Sequence, residues 1–243
     1  MHFFDSLVNN FTKTFITESR YKLFLSGLEY TIIIAICSII IGFLIGLFVA
    51  IMKVYYFQHK PTGKHGKLIH FLLGILNKIL TIYTTVIRGT PTVVQLLITY
   101  YIIFASSSND LLIAIFAFGV NSGAYMSEIF RAGILAVDKG QTEAGRSLGL
   151  SHFSTMLNII LPQAFKNILP ALGNEIITIL KETSVAGYVA LADLTKAGSY
   201  VRSRTYEPYF SLLSIAGVYL IIVMGIAAVF EKIERRLAKS DRN

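Results

Sequence analysis

The chain has 243 residues, of which 54% are apolar and only 15% are charged. An average soluble domain carries roughly 25% charged residues, so this composition excludes both a water-soluble globular protein and a disordered one. The single cysteine, Cys37, excludes an internal disulfide. A formal net charge of +8 in so apolar a chain indicates membrane orientation rather than nucleic-acid binding.

The N-terminal third contains an interfacial segment and the first two spans. Residues 3–26 place aromatic and polar side chains in the pattern of an amphipathic helix on a membrane surface. A helix needs about 20 apolar residues to cross the hydrocarbon core, and the uncharged run Tyr30–Met52 meets this requirement. The run from about residue 68 to Ser106 predicts a second span, long or broken near Pro91.

Three more spans follow in chain order. Residues 111–127 form a third apolar run, and the uncharged run Pro208–Phe230 forms the last. The fourth, about residues 165–185, is the weakest by hydropathy because it contains Glu175, Lys181 and Glu182. We therefore predict an all-α membrane protein with five transmembrane helices, an N-terminal amphipathic helix and a helix in the cytoplasmic connector.

The distribution of Lys and Arg predicts the orientation, because cytoplasmic loops carry the excess. One side collects thirteen: Lys53, Lys60, Lys64, Lys67, Arg131, Lys139, Arg146, Lys166, Lys232, Arg235, Arg236, Lys239 and Arg242. The other side has six: Lys13, Arg20, Lys22, Lys196, Arg202 and Arg204. The N-terminus is thus predicted outside and the C-terminus in the cytoplasm. The expected organisation is an extracytoplasmic segment 1–27, a permease domain 28–231 and a basic cytoplasmic tail 232–243.

The cytoplasmic connector, residues 131–166, is long for a small membrane protein. Residues 139–148 predict a short surface helix with small and apolar side chains on one side and charge on the other. Gly149 can adopt the left-handed backbone that ends a helix, and Ser151 can cap the next one. Pro162 then limits or kinks this second helix before the fourth span.

The spacing of this connector is specific. In order it reads Glu143, Ala144 and Gly145, then Gly149 after three residues, Ile159 after nine more, and Leu161-Pro162 after one more. It resembles the EAA loop of binding-protein-dependent transport permeases, with Gly145 where that pattern has a second alanine. The resemblance implies a coupling helix held in a cleft of a cytoplasmic ATPase, through Glu143, Ala144, Gly145, Arg146 and Gly149. Without this spacing, a plain interfacial amphipathic loop would be the better interpretation.

Further segments resemble the polar amino-acid branch of these permeases. They are Arg88-Gly89-Thr90-Pro91 with Gln95, Glu128 to Gly133, Leu161 to Ala164, Leu172 to Glu175, and Leu180 to Ser184. The resemblance covers most of residues 26–235. It implies the type I importer fold and the membrane-spanning subunit of an ABC importer for a polar or cationic amino acid in the bacterial cytoplasmic membrane.

Polar side chains within the spans suggest a substrate site, because ionisable residues there are costly. If the fourth span starts near Phe165, Glu175 lies ~15 Å along it, close to the midplane, where transporters bind substrate. The predicted substrate-binding residues are Asn174, Glu175, Thr178, Glu182 and Arg88. The alternative is that Glu175 and Lys181 or Glu182 hold helices together by internal pairing. For Arg88, next to Gly89 and Pro91 where the helix breaks, the favoured alternative is a structural role, such as a pair with a carboxylate. No residue is assigned as catalytic or as a metal ligand.

The partners follow from the same resemblance. The sequence has no G-x-x-x-x-G-K-[ST] loop, so no cofactor is expected in this chain, and ATP and Mg would be bound by a separate ATPase dimer. Five spans form only half of a transport pathway, so a second permease subunit, identical or closely related, is required. An extracytoplasmic solute-binding protein would deliver the substrate, and residues 186–207 are a candidate dock for it.

Two other classes of function are alternatives. A membrane enzyme would need a nucleophile beside a base, but Ser122 lies in a GVNSG context and the histidines lie near predicted surfaces. Those histidines are His2, His59, His65, His70 and His152. An ATP-independent carrier or channel would explain the carboxylates within the spans but not the spacing of the connector.

Overall fold

The computed structural model describes residues 2–58, 63–189 and 191–240, and all of their regular structure is helical. The predicted all-α fold class is thereby confirmed. Of the residues used in the sequence argument, His59, Lys60 and Arg242 lie outside the described residues. The α-helices are α1 His2–Phe11, α2 Tyr21–Gln58, α3 Gly63–Gly89, α4 Thr92–Ile98, α5 Asp110–Leu135, α6 Lys139–Ser147, α7 His152–Thr155, α8 Leu161–Glu182, α9 Leu194–Thr205 and α10 Pro208–Ser240.

Helical turns of other types join several of these helices. Thr12–Ile16, Thr99–Ile103 and Met156–Ile160 are π-helical, while Thr17–Ser19 and Thr183–Tyr188 are 3-10 turns. The π turn at Met156–Ile160 links α7 directly to α8, so the chain is helical from His152 to Glu182. Pro162 is the second residue of α8, which directly follows this π turn. Because proline has no N–H to donate, the α-helical hydrogen-bond pattern is interrupted there.

The N-terminal segment differs from the single amphipathic helix predicted over residues 3–26. Helix α1 ends at Phe11, and the backbone at Glu18 and Ser19 is left-handed, with φ of 56° and 54°. Such values break the helical hydrogen-bond pattern, so α2 starts afresh at Tyr21. The Arg20 guanidinium holds this turn by donating to Lys13 O at 2.6 Å and to Glu18 Oε2 at 3.1 Å.

Four helices are long and apolar enough to cross a membrane, judged over the residues that the structure describes: Tyr21–Phe57, Gly66–Gly89, Asp110–Leu135 and Pro208–Leu237. The predicted break near Pro91 is present, since α3 ends at Gly89 and α4 starts at Thr92. Helix α8 has 22 residues, enough for a span, but it carries Lys166, Glu175, Lys181 and Glu182. Its charge content explains why it is the weakest of the five predicted spans.

The chain divides into two compact units. The first unit contains Met1–Ser38, Thr92–Phe118 and Ile177–Ile226, and the second contains Ile39–Pro91, Gly119–Ile176 and Ala227–Asn243. In the first unit, a buried core of Phe24, Leu194, Val201 and Ile215 packs α9 against α2 and α10. Asp193 caps α9 by accepting from the backbone N–H groups of Thr195 and Lys196 at 2.9 and 3.2 Å.

In the second unit, α2 and α5 pack through glycines. A methyl group placed on Gly46 would lie 2.7 Å from Met126 Cβ, and one on Gly123 would lie 2.7 Å from Ile45 Cγ2. Small residues at helix contacts let backbones approach closely in membranes. The structure therefore explains the small residues that the sequence places in both helices.

Candidate functional site

The connector between α5 and α8 forms two capped helices. The Asp138 side chain accepts from Gly140 N at 2.6 Å and starts α6. Gly149 has a φ of +83°, and Leu150 N donates to Gly145 O at 3.1 Å while Gly149 N donates to Arg146 O at 3.0 Å. These are the bonds of a Schellman motif, and Ser151 Oγ then accepts from Ser154 N at 3.1 Å to start α7. The predicted helix end at Gly149 and cap at Ser151 are confirmed.

The predicted coupling residues divide between two faces of α6. Glu143, Ala144, Arg146 and Gly149 are exposed, whereas Gly145 is buried. Gly145 faces Thr155 and Ile159 in the following helical segment. Next to the exposed residues lie two large apolar side chains, Leu148 at 82% and Phe153 at 74% exposure. This surface combines charge with uncovered apolar area, a composition suited to contact with another protein.

An ion cluster that is buried at Lys53 and partly exposed at Glu128 and Arg131 lies in the second unit. Lys53 Nζ donates to Glu128 Oε1 and to Thr84 Oγ1, both at 2.9 Å, and it links α2 to α5 and α3. Arg131 donates to the other carboxylate oxygen, Glu128 Oε2, with Nη2 at 2.7 Å and Nε at 2.9 Å. The sequence predicts the Glu128–Arg131 pair from its i, i+3 spacing. It places Lys53 in a loop, which is wrong because α2 continues past Met52 and Lys53 is only 5% exposed.

An open pocket of about 440 Å³ lies beside this cluster in the second unit, between α3, α5 and α8. Its lining residues are Arg88, Tyr125, Glu128, Ile129, Ala132, Gly133, Ala136, Asn167 and Ala171. The Arg88 guanidinium lies 5.5 Å from the centroid of the Tyr125 ring, and Glu128 already has two cationic partners. The positive charge of Arg88 and the small residues around it make the pocket suitable for a compact group with a carboxylate.

The predicted substrate residues on α8 do not form one uniform face. In the second unit, Glu175 is 9% exposed and its Oε1 accepts from Ser122 Oγ at 3.3 Å, while Asn174 is exposed. In the first unit, Thr178 and Glu182 are half-buried, and Glu182 Oε2 accepts from Thr92 Oγ1 at 3.4 Å. Glu175 thus connects α8 to α5, and Glu182 connects α8 to α4.

The segment proposed as a dock, residues 186–207, lies in the first unit around α9, and its residue 190 is outside the described residues. Its tyrosines Tyr188, Tyr200 and Tyr206 are exposed, and Tyr206 ends α9 with a left-handed φ of 55°. Asp193, at the start of α9, is fully buried, and this burial raises the pKa of its carboxyl group despite the two backbone N–H groups that donate to it.

Helices of membrane-spanning length, a broken second span and a long connector with a capped surface helix are the features of a multi-pass membrane protein. The pattern of the family described as binding-protein-dependent transport system inner membrane component matches residues 70–239. The chain belongs to this family, and the resemblance drawn from its motifs is confirmed.

Individual relatives match over almost the full length. The arginine transport system permease protein ArtQ of Bacillus subtilis is 36% identical over 229 residues, covering 93% of this chain and 97% of the relative. A putative glutamine transport system permease protein GlnP of Rickettsia conorii is 38% identical over 239 residues, covering 96% and 98%.

Solved structures confirm the fold. A crystal structure of an amino acid ABC transporter with histidines has a TM-score of 0.77 and 38% identity, covering 91% of this chain and 98% of that chain. The inward-facing MetNI methionine ABC transporter has a TM-score of 0.73 at 19% identity, covering 89% and 97%, which supports the fold alone. The predicted type I importer fold is therefore confirmed.

Proposed function

We propose that this chain is the membrane-spanning permease subunit of an ABC importer that moves a polar or cationic amino acid across the cytoplasmic membrane. The names of its relatives, which cite arginine and glutamine, support an amino-acid substrate. The observation that carries the coupling role is α6, which exposes Glu143, Ala144 and Arg146 while Gly145 is buried against the following helical segment. The N-terminus lies outside and the C-terminus in the cytoplasm.

The energy comes from ATP and Mg bound to a separate cytoplasmic ATPase dimer. Closure of that dimer draws together the α6 helices of this chain and of a second permease subunit. The spans then change from inward-open to outward-open, and an extracytoplasmic solute-binding protein releases the amino acid into the cavity. Hydrolysis reverses the change, because each ligand acts only through its preference for one of the two states.

Substrate contact is proposed for Arg88, Asn174, Glu175, Thr178 and Glu182. The Arg88 guanidinium, above Tyr125 at the pocket in the second unit, is suited to the carboxylate that every amino acid carries. The carboxylates on α8 are suited to an ammonium or to a cationic side chain. A zwitterionic substrate has both a carboxylate and an ammonium group, which explains why the proposed residues include both positive and negative side chains.

The coupling role is tested by the substitution Gly149→Asp. The left-handed backbone at Gly149 accepts Asp or Asn more readily than other side chains, so the matched control Gly149→Asn adds the same shape without the charge. In vesicles containing the chain, its ATPase and its binding protein, we expect Gly149→Asp to lower uptake per ATP hydrolysed several-fold. Gly149→Asn should retain most of the coupling.

Normal coupling in Gly149→Asp would count against α6 as the coupling element. Uptake that proceeds in the wild type without any ATPase would instead identify the chain as an ATP-independent carrier or channel. Purification of the chain from its native membrane, with analysis of its associated proteins, provides a second check, because the proposal requires an ATPase in the complex.

A further inference from the structure

Gly145 lies where α6 approaches the next helical segment too closely for any side chain. A methyl group built on Gly145 would lie 2.8 Å from Thr155 Cγ2, 3.0 Å from Thr155 Oγ1 and 3.0 Å from Ile159 Cδ1. Non-bonded carbon atoms rest about 3.5–4.0 Å apart. Alanine, which the EAA pattern has at this position, therefore does not fit here unless a neighbour moves.

Thr155 is the neighbour that cannot easily move. It is 1% exposed, and its Oγ1 donates to Ser151 O at 3.0 Å, which fixes the orientation of the side chain. A β-branched residue in a helix also has few alternative rotamers. Ile159 Cδ1, in contrast, is the end of a flexible side chain. Thr155 therefore determines how closely α6 can approach.

We infer that Gly145 and Thr155 form a matched pair that positions the coupling helix. The threonine occupies the space that an alanine methyl would need, and the glycine lets α6 lie directly against it. The pair thus sets the distance between α6 and the following helical segment. This distance determines where Glu143, Ala144 and Arg146 lie when they contact the ATPase. Gly145 and Thr155 are positioning residues, and this inference rests on the proposed coupling function.

Helix propensity and the steric contact lead to different predictions for the substitution Gly145→Ala. Glycine within a helix is less favourable than alanine, so propensity alone predicts that Gly145→Ala strengthens α6. The steric contact predicts that the same substitution displaces α6 and impairs coupling. A fall in uptake per ATP hydrolysed in Gly145→Ala would therefore indicate the steric contact, and an unchanged or higher ratio would indicate helix propensity.

The test compares Gly145→Ala, Thr155→Ala and the double variant in the complete complex reconstituted in vesicles, with uptake and ATP hydrolysis measured together. We expect Gly145→Ala to lower uptake per ATP several-fold and the double variant to recover most of the wild-type ratio. Combining Gly145→Ala with Thr155→Ser should recover less, because serine lacks Cγ2 but keeps the hydroxyl group. Gly217→Ala is the control, since nothing lies within 4 Å of a methyl group there.

The outcomes separate this inference from the proposed function. A wild-type complex without ATP-driven uptake would overturn both. A working wild type with unimpaired coupling in Gly145→Ala would overturn the inference alone, as would a double variant no better than the single one. If Gly145→Ala prevents assembly of the complex, recovery of assembly in the double variant supports the pair, and failure to recover contradicts it.

Discussion

Two polar contacts between helices of the second unit join residues that lie far apart in the chain. Lys53 reaches Glu128 across 75 positions, and Ser122 reaches Glu175 across 53. Removing Glu128 would leave the buried ammonium group of Lys53 without its anionic partner, which costs more than the pair itself contributes. These contacts favour a structural role for Glu128, Lys53 and Arg131, and they give Glu175 a link between helices in addition to its proposed contact with substrate.

Glu175→Gln tests whether the charge at this position serves transport. The glutamine has nearly the same shape, and its amide oxygen can still accept the Ser122 hydrogen bond, so we expect the complex to assemble. Uptake should fall several-fold because the negative charge is lost. Uptake in reconstituted vesicles is the measurement, with Ser122→Ala as the matched variant that removes the hydrogen bond and keeps the charge. Unchanged transport in Glu175→Gln would remove this residue from the substrate site.

Contacts between helices depend on glycines at the sites of closest approach. Helices α2 and α5 meet at Gly46 and Gly123, where a methyl group would approach Met126 or Ile45 to 2.7 Å. Helices α8 and α10 meet at Gly173, where it would lie 2.7 Å from the Phe230 ring. At other glycines, such as Gly217, the space is open. Composition alone does not distinguish these two kinds of glycine.

Gly46→Ala should therefore destabilise the protein by about 1–3 kcal/mol, as expected for overpacking of a tight contact. Gly217→Ala should leave stability unchanged or raise it slightly, because alanine favours a helix and meets no neighbour there. Thermal unfolding in detergent compares the two substitutions directly. Equal midpoints for both variants would show that the α2–α5 contact tolerates a methyl group.

The arrangement of the complete chain across the membrane is a separate prediction, which rests on the excess of Lys and Arg on one side. Replacing Cys37 with alanine creates a background without cysteine, because the chain has no other. In that background, a membrane-impermeant maleimide on intact cells should label Ser107→Cys but not Ser147→Cys. Both serines are exposed, so accessibility within the protein does not limit the reaction. External labelling of Ser147→Cys would reverse the proposed orientation and remove α6 from the cytoplasm.

Local features of the structure were predictable from the sequence because their causes lie within a few residues. The apolar runs predict the spans, and Gly149 and Ser151 predict the end of α6 and the start of α7. The left-handed turn at Glu18 and Ser19 was not predictable, since neither residue has a strong preference for that conformation. The family could be recognised from the connector spacing, since it is a pattern of residue types along the chain.

Contacts between distant residues were decided only by the tertiary structure. The Lys53–Glu128 pair, the Ser122–Glu175 hydrogen bond and the close approach of Gly145 to Thr155 depend on the rotation and distance of packed helices. Hydropathy and spacing specify which face of a helix is apolar, but not which residue of another helix lies opposite. Packing, charge pairing and steric exclusion act between residues that are neighbours in space. Only the arrangement of the folded helices determines which residues these are.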